Sequence, residues 1–193
     1  MNLPRMRRNP WLQPILFGLL ALRGTASATD WQQVDPGSEL RFQASAQGED
    51  FDGGFGRFET RLSLDSAALD SAKLDVVIDL GSVDSANAER DELLVSEDFF
   101  AVDQAKQARF SAQQISIGDN GYVAAATLQL KGRQQPVEFR FTFSPAADGQ
   151  TAVLEGQATL DRLAFDIGSG EWADEDMIGR AVIVHAKVLL RRQ

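Results

Sequence analysis

Val137-Glu138-Phe139-Arg140-Phe141-Thr142-Phe143 alternates apolar and polar residues without a break. A period of two puts four apolar side chains on one face and three polar ones on the other, the pattern of a half-buried β-strand. The same pattern lies on either side. Upstream, Tyr122–Lys131 sets Ala124, Ala126, Leu128 and Leu130 against Thr127, Gln129 and Lys131, and a turn ending at Pro136 joins the two strands. Downstream, Ala147-Asp148-Gly149 turns the chain into Thr151–Leu163. There Leu154, Gly156, Ala158 and Leu160 oppose Glu155, Gln157, Thr159 and Asp161.

Further out the alternation persists. Ala181–Arg191 places Val182, Val184, Ala186, Val188 and Leu190 on one face. Before Tyr122, the segment Arg109–Ile117 has Phe110 and Ala112 in one phase and Ile115 and Ile117 in the other. The extra residue predicts a β-bulge, and Asp119-Asn120-Gly121 predicts a hairpin turn. Lys73–Leu80, Phe55–Asp65 and Ser38–Ala46 complete the set. Gly48 to Gly54 reads as a turn between the first two strands, with Gly53-Gly54 able to supply positive φ.

One stretch breaks the pattern. Arg90-Asp91-Glu92-Leu93-Leu94-Val95-Ser96-Glu97-Asp98-Phe99-Phe100 reads as helix, with Asp84 or Ser85 to cap its start and Ser96 to cap a second short turn. Eight strands joined mostly by short turns favour an antiparallel up-and-down order. One apolar face per strand then demands a second layer or closure on itself. The expected fold is an all-β, eight-stranded antiparallel up-and-down barrel, extended and lipocalin-like, with a short helical insert between strands 3 and 4. A two-sheet sandwich is the alternative. It would need Greek-key connections, for which only the insert and Asp166–Gly179 are long enough.

The first 28 residues read as an export signal. Arg5, Arg7 and Arg8 precede an apolar run from Trp11 to Leu22, and Ala26-Ser27-Ala28 offers the small-x-small cleavage pattern. Cleavage would leave one domain, residues 29–193, of 165 residues with 15 basic and 28 acidic side chains, a net charge of −13. Such a charge argues against nucleic acid and against adsorption to anionic lipid. Absence of cysteine excludes disulfides and thiolate chemistry, and a single histidine, His185, excludes a histidine-rich metal site. The periplasm of a Gram-negative bacterium is the expected location.

The inward faces carry the candidate site. Ala44, Ala46, Ala124, Ala126, Gly156, Ala158 and Ala186 are small where Phe42, Phe58, Phe139 and Phe141 are large. Small residues on several strands leave lumen space, although complementary packing of small against large would fill it. The expected lumen set is Phe42, Phe58, Leu62, Val76, Ile78, Ala126, Leu128, Phe139, Phe141, Ala158, Leu160 and Val184. Leu93, Phe99, Phe100, Phe165 and Trp172 are placed on the two long connections as a mouth or lid. Arg162 falls in line with Gly156 and Ala158, and an inward guanidinium is a candidate headgroup anchor or one half of a structural pair with an acid such as Asp91. No nucleophile elbow or triad spacing is present, His185 alternates onto the outer face, and no catalytic residue, metal ligand or cofactor is expected.

Five short motifs in order resemble the YceI-like family of lipocalin-type polyisoprenoid-binding proteins. They are Val34-Asp35-Pro36-Gly37-Ser38 leading to Phe42; Gly54-Phe55-Gly56-Arg57-Phe58; Ile78-Asp79-Leu80-Gly81-Ser82-Val83 leading to Arg90-Asp91 and Phe99-Phe100; Leu128-Gln129-Leu130-Lys131-Gly132 followed by Pro136-Val137; and Arg162 followed by Phe165, Ile167-Gly168 and Ile178-Gly179. The resemblance implies a non-enzymatic carrier of a long apolar ligand such as a polyprenyl phosphate or a quinone tail. It also makes a cytochrome b561-type membrane protein a candidate partner. The alternative function is an interaction module with a filled core that docks such a partner. Leu93 stands where the family usually has histidine, so the insert is expected to be an apolar lid rather than a polar site.

Overall fold

The computed structural model describes residues 29–193, and the expected export signal lies outside them. Eleven strands form one sheet: β1 (Thr29–Gln33), β2 (Glu39–Ala46), β3 (Glu49–Phe55), β4 (Phe58–Leu64), β5 (Lys73–Asp79), β6 (Val83–Asp84), β7 (Gln107–Gly118), β8 (Gly121–Leu130), β9 (Arg133–Pro145), β10 (Thr151–Asp161) and β11 (Ala181–Arg192). Among the described residues the single α-helix, α1 (Ala88–Val95), sits between β6 and β7.

Every pairing is antiparallel, and the sheet closes. β11 pairs through Leu190–Arg192 with β1 and through Ile183–Lys187 with β2, so β1 and β2 are two halves of one stave. β3 and β4 are likewise halves of the next, paired with β2 and β1 respectively. Counting each such pair as one strand, and leaving aside the two-residue β6 on the edge of β3, gives eight, in chain order around the ring, with β11 returning to β1. The barrel expected from alternation is therefore present, and the sandwich is not.

The differences from the sequence reading are local and have physical causes. The stretch Gly48 to Gly54 is not a turn. The turn is Gln47-Gly48, both with positive φ, and β3 begins at Glu49. Gly53 disguised it, because the residue stands under the Phe42 ring, where any Cβ would collide with ring carbons. The expected strand Phe55–Asp65 starts, as β4, at Phe58 rather than Phe55, after a break at Gly56-Arg57. β1 was not expected, since Thr29-Asp30-Trp31-Gln32-Gln33 offers only Trp31 as an apolar residue. The turn ending at Pro136 is the two-residue Lys131-Gly132, with φ of 49° and 73°, and Pro136 lies within β9 opposite Thr127. The expected strand Thr151–Leu163 stops, as β10, at Asp161, whose carboxylate accepts the Leu163 N–H and starts a 3-10 turn over Arg162–Phe165.

Within the insert, Asn87 rather than Asp84 or Ser85 caps α1, accepting the Arg90 N–H. Ser96 does not start a turn through its side chain; its hydroxyl donates to the Leu93 carbonyl at the end of α1. The expected bulge is present as a register shift between Ala112 and Gln114, and the Asp119-Asn120 turn joins β7 to β8.

The two ends of the barrel differ. At one end the connections are short, and Trp31, Leu62, Leu64, Ala152, Leu154 and Leu190 fill the space almost without exposure. Trp31 meets Phe143 edge-on at 5.2 Å between ring centres. At the other end lie the Gln47-Gly48 turn, the insert, the Lys131-Gly132 turn and the connection 162–180. There β4 alone pairs with β5, while β3 splays away and takes the two-residue β6 as its neighbour.

Candidate functional site

A cavity of about 180 Å³ occupies the barrel toward the insert end. Its walls are the inward faces of β2, β4, β5, β7, β8, β9, β10 and β11, and its roof is Leu80, Leu94, Phe99, Phe100, Phe165, Ile167 and Ile178. Among the described residues Thr60 and Arg162 are its only polar lining residues. Of the expected lumen set, Phe42, Phe58, Val76, Ile78, Leu128, Phe139, Ala158, Leu160 and Val184 line it. Leu62, Ala126 and Phe141 are buried but do not. Leu62 packs in the filled end opposite Trp31, and Phe141 is stacked between Tyr122 and Phe139 at 5.4 and 5.7 Å.

Small residues serve this layout, though not uniformly as empty space. Gly156 lies opposite Phe141, and a Cβ there would strike Phe139, Phe141 and the Arg140 carbonyl. It makes room for rings. Ala158 and Ala186, by contrast, are in the cavity wall.

The expected lid residues divide. Phe99, Phe100 and Phe165 line the cavity; Leu93 is half-buried on α1 and does not, and Trp172 packs behind Phe99 at 5.8 Å. Phe51 and Phe55 also line the cavity and were missed: Phe51 fell in the stretch read as a turn, and Phe55 was read as the first residue of the next strand, out of phase with Phe58. Phe42 meets Phe51 at 6.3 Å and Phe55 at 5.7 Å, and Phe55 meets Phe100 at 5.9 Å, so aromatic contacts link barrel and insert.

Arg162 is 3% exposed and its five donors are all taken. Nε donates to the Gly179 carbonyl at 3.1 Å, Nη1 to those of Ile167 (2.9 Å) and Gly168, and Nη2 to those of Trp172 (2.9 Å) and Ile178 (2.8 Å). A guanidinium has five N–H groups, so none is left for an anionic headgroup. The alternative pairing with Asp91 is absent too: carbonyl dipoles from one loop hold the charge in place of a carboxylate. Burial pulls the guanidinium below the usual arginine range, partly offset by Glu175 and Asp161 nearby.

Asp91 instead accepts both the Ser85 N–H at 2.9 Å and the Ser85 hydroxyl at 2.6 Å. Arg90 donates to that hydroxyl oxygen and to the Ser85 carbonyl, each at 2.8 Å. Lys131 ties three connections together by donating to the carbonyls of Asp98 and Asp166 at 2.9 and 2.8 Å. Four of the polar residues that carry the motifs, Arg90, Asp91, Lys131 and Arg162, thus hold the roof on.

A wider concavity of about 600 Å³ lies outside, across the outer faces of β9, β10, β11 and β2. Arg140, Gln157, His185 and Arg41 stand opposite one another along it. His185 is exposed there, as its alternation predicts. Lys187–Glu155 and Arg140–Glu138 pair within this face. Among the described residues no cluster of histidine and carboxylates is placed to hold a metal ion.

The family model of the YceI-like domain matches residues 31–190, all but the two outermost residues at each end of the barrel. The chain belongs to the YceI-like family. This YceI-like chain is 29% identical over 169 residues to a UPF0312 protein of Vibrio campbellii, covering 82% of this chain and 89% of that one. It is 38% identical over 89 residues to a UPF0312 protein of Serratia proteamaculans, covering 46% and 43%. Among solved structures, BcnA of Burkholderia cenocepacia superposes with a TM-score of 0.73 at 24% identity, covering 79% of this chain and 95% of BcnA. A polyisoprenoid binding domain from Saccharophagus degradans superposes with a TM-score of 0.66 at 14% identity, covering 84% and 98%. At these identities the superpositions speak for the fold of this YceI-like domain alone.

Proposed function

We propose that this protein is an exported, non-enzymatic carrier that holds the long apolar tail of an isoprenoid inside its barrel. One observation carries the reading: the cavity in the middle of the barrel is walled by apolar side chains on nearly every stave. Family membership and the naming of one structural neighbour as a polyisoprenoid binding domain support the ligand class. The basic, apolar and small-residue pattern of residues 1–28 supports export to the periplasm.

The energetics favour a tail. Each buried CH₂ contributes roughly 0.8 kcal/mol, so an isoprene unit offers on the order of 3 kcal/mol before ordering costs. A dry cavity of about 150 Å³ holds one benzene ring, and this one is about 180 Å³. A tail of several isoprene units therefore has to displace side chains. The half-buried Phe51, Phe55, Phe58 and Phe110 are the least enclosed rings of the cavity wall and the ones such a tail would displace first. The alternative, a solid barrel docking a cytochrome b561-type partner, has less support, since space remains where a filled core would have none.

Native mass spectrometry of the purified protein, followed by incubation with polyprenoids of graded length, tests the proposal. Mass increments matching one lipid per chain, with affinity rising with tail length, are expected. Ala158→Phe, which fills the cavity from β10, should abolish uptake while the barrel stays folded. Folded wild-type protein that neither carries nor takes up any such lipid would sink the reading.

A further inference from the structure

Thr60 is the feature that a purely apolar container does not need. It lies on β4 opposite Val76, 1% exposed, and its hydroxyl oxygen has no hydrogen-bond partner. It also lines the cavity. Valine has nearly the same shape and would remove a buried, unpaired hydroxyl whose desolvation opposes folding. A threonine here is explained if its partner arrives with the ligand.

Charge narrows that partner. Arg162 is the one charged residue in the cavity lining, and its donors are spent on five backbone carbonyls. Arg90 is tied to Ser85 and lies over the Phe51 ring. Lys131 is bound to carbonyls, Arg133 is paired with Asp166, and Arg180 with Asp161 and Glu175. Around the same end, Glu49, Asp50, Asp52, Glu89 and Glu92 face solvent. Lys106, beside Leu80, is unpaired but exposed and outside the lining, so among the described residues an anion in the lumen would meet no free cation, at a cost no contact there offsets. An uncharged oxygen, by contrast, needs only one hydrogen bond.

Building on the carrier reading, we infer that the lumen selects an isoprenoid with an uncharged oxygen function, an alcohol or a carbonyl, and that Thr60 is the residue that hydrogen-bonds that oxygen. The head of the ligand then sits midway down the barrel on β4, and the tail fills the space under the Phe99–Phe100 roof.

Binding of geranylgeraniol, of its hydrocarbon counterpart lacking the hydroxyl, and of geranylgeranyl monophosphate to the same protein tests this. Wild type should prefer the alcohol to both. Thr60→Val should weaken the alcohol by about fivefold to tenfold, the value of one hydrogen bond, and leave the hydrocarbon unchanged. Thr60→Ser, which keeps the hydroxyl, should retain the preference. Equal loss for alcohol and hydrocarbon in Thr60→Val, no loss for either, or tighter binding of the monophosphate by wild type would overturn the inference while leaving the carrier intact. Failure of all three ligands to enter wild type would overturn both.

Discussion

The guanidinium carbon of Arg90 lies 4.2 Å from the centre of the Phe51 ring. Arg90 belongs to the insert and Phe51 to β3, the half-strand that splays from β5. The contact bridges the place where the barrel wall is interrupted. With Ser85 and Asp91 it forms a clasp between the roof and the open flank of the sheet. Closure at this end therefore depends on a few side-chain contacts, whereas the opposite end is closed by core packing.

Loosening that clasp should change exchange more than fold. Arg90→Ala removes a cation–π contact worth about 1 kcal/mol and two hydrogen bonds to Ser85. Hydrogen exchange should quicken over residues 83–100 while the β7–β10 amides keep their protection. Lipid transfer measured by stopped-flow fluorescence should speed up in both directions. Unchanged exchange in the insert would contradict the clasp.

Arg162 should be a stability residue rather than a headgroup residue. Arg162→Met leaves five carbonyls without their donor, and loss of a buried polar network of this kind costs about 3–5 kcal/mol. Arg162→Lys keeps the charge but has only three donors, so it should fall between the two in urea unfolding. If Arg162→Met proved as stable as wild type, the carbonyl cage would be energetically idle.

Gly156 makes a steric prediction. A Cβ at this position overlaps Phe139, Phe141 and the Arg140 carbonyl. Gly156→Val should therefore cost about 1–3 kcal/mol through overpacking, whereas Ala158→Leu, two residues along the same face but in the cavity wall, should be tolerated with reduced lipid uptake. Thermal unfolding and uptake measured on both variants separate packing space from ligand space.

The carboxylate of Asp161 accepts Nε and Nη2 of Arg180 at 2.9 and 2.8 Å, which holds it below the usual carboxylate range. A depressed folded-state value contributes stability that is present above the unfolded value of about 3.9 and is lost as pH falls through the folded one. Arg180→Gln should raise the Asp161 titration seen by carbon NMR and shift acid unfolding to higher pH. The pair is exposed, so the effect should shrink in high salt. An Asp161 that titrates normally in wild type would remove the basis for the shift.

How much of this was legible depended on whether a side chain marked the strand. Val137–Phe143 and Tyr122–Leu130 could be assigned because alternate positions carry bulky residues. β3 could not: its inward positions are Phe51, Gly53 and Phe55, and a glycine that exists to admit the Phe42 ring looks the same in sequence as one that bends a turn. That misreading hid Phe51 and pushed Phe55 into the next strand in the wrong phase. Arg162 shows the converse. Alternation located it inside the barrel, but the carbonyls that hold it come from Ile167, Gly168, Trp172, Ile178 and Gly179, on a connection with no periodicity to read.

The sequence by itself determined an eight-stave antiparallel barrel, its helical insert and the apolar character of its interior, because hydrophobic alternation and turn residues are local signals that act within one or two strands. Only the tertiary structure decided which inward residues are packed and which line space. It also showed that Arg162 is fully spent and that the Thr60 hydroxyl is left without a partner. Those properties belong to distances between residues far apart in the chain. They are set by how closely the staves approach across the barrel, and no local pattern records that.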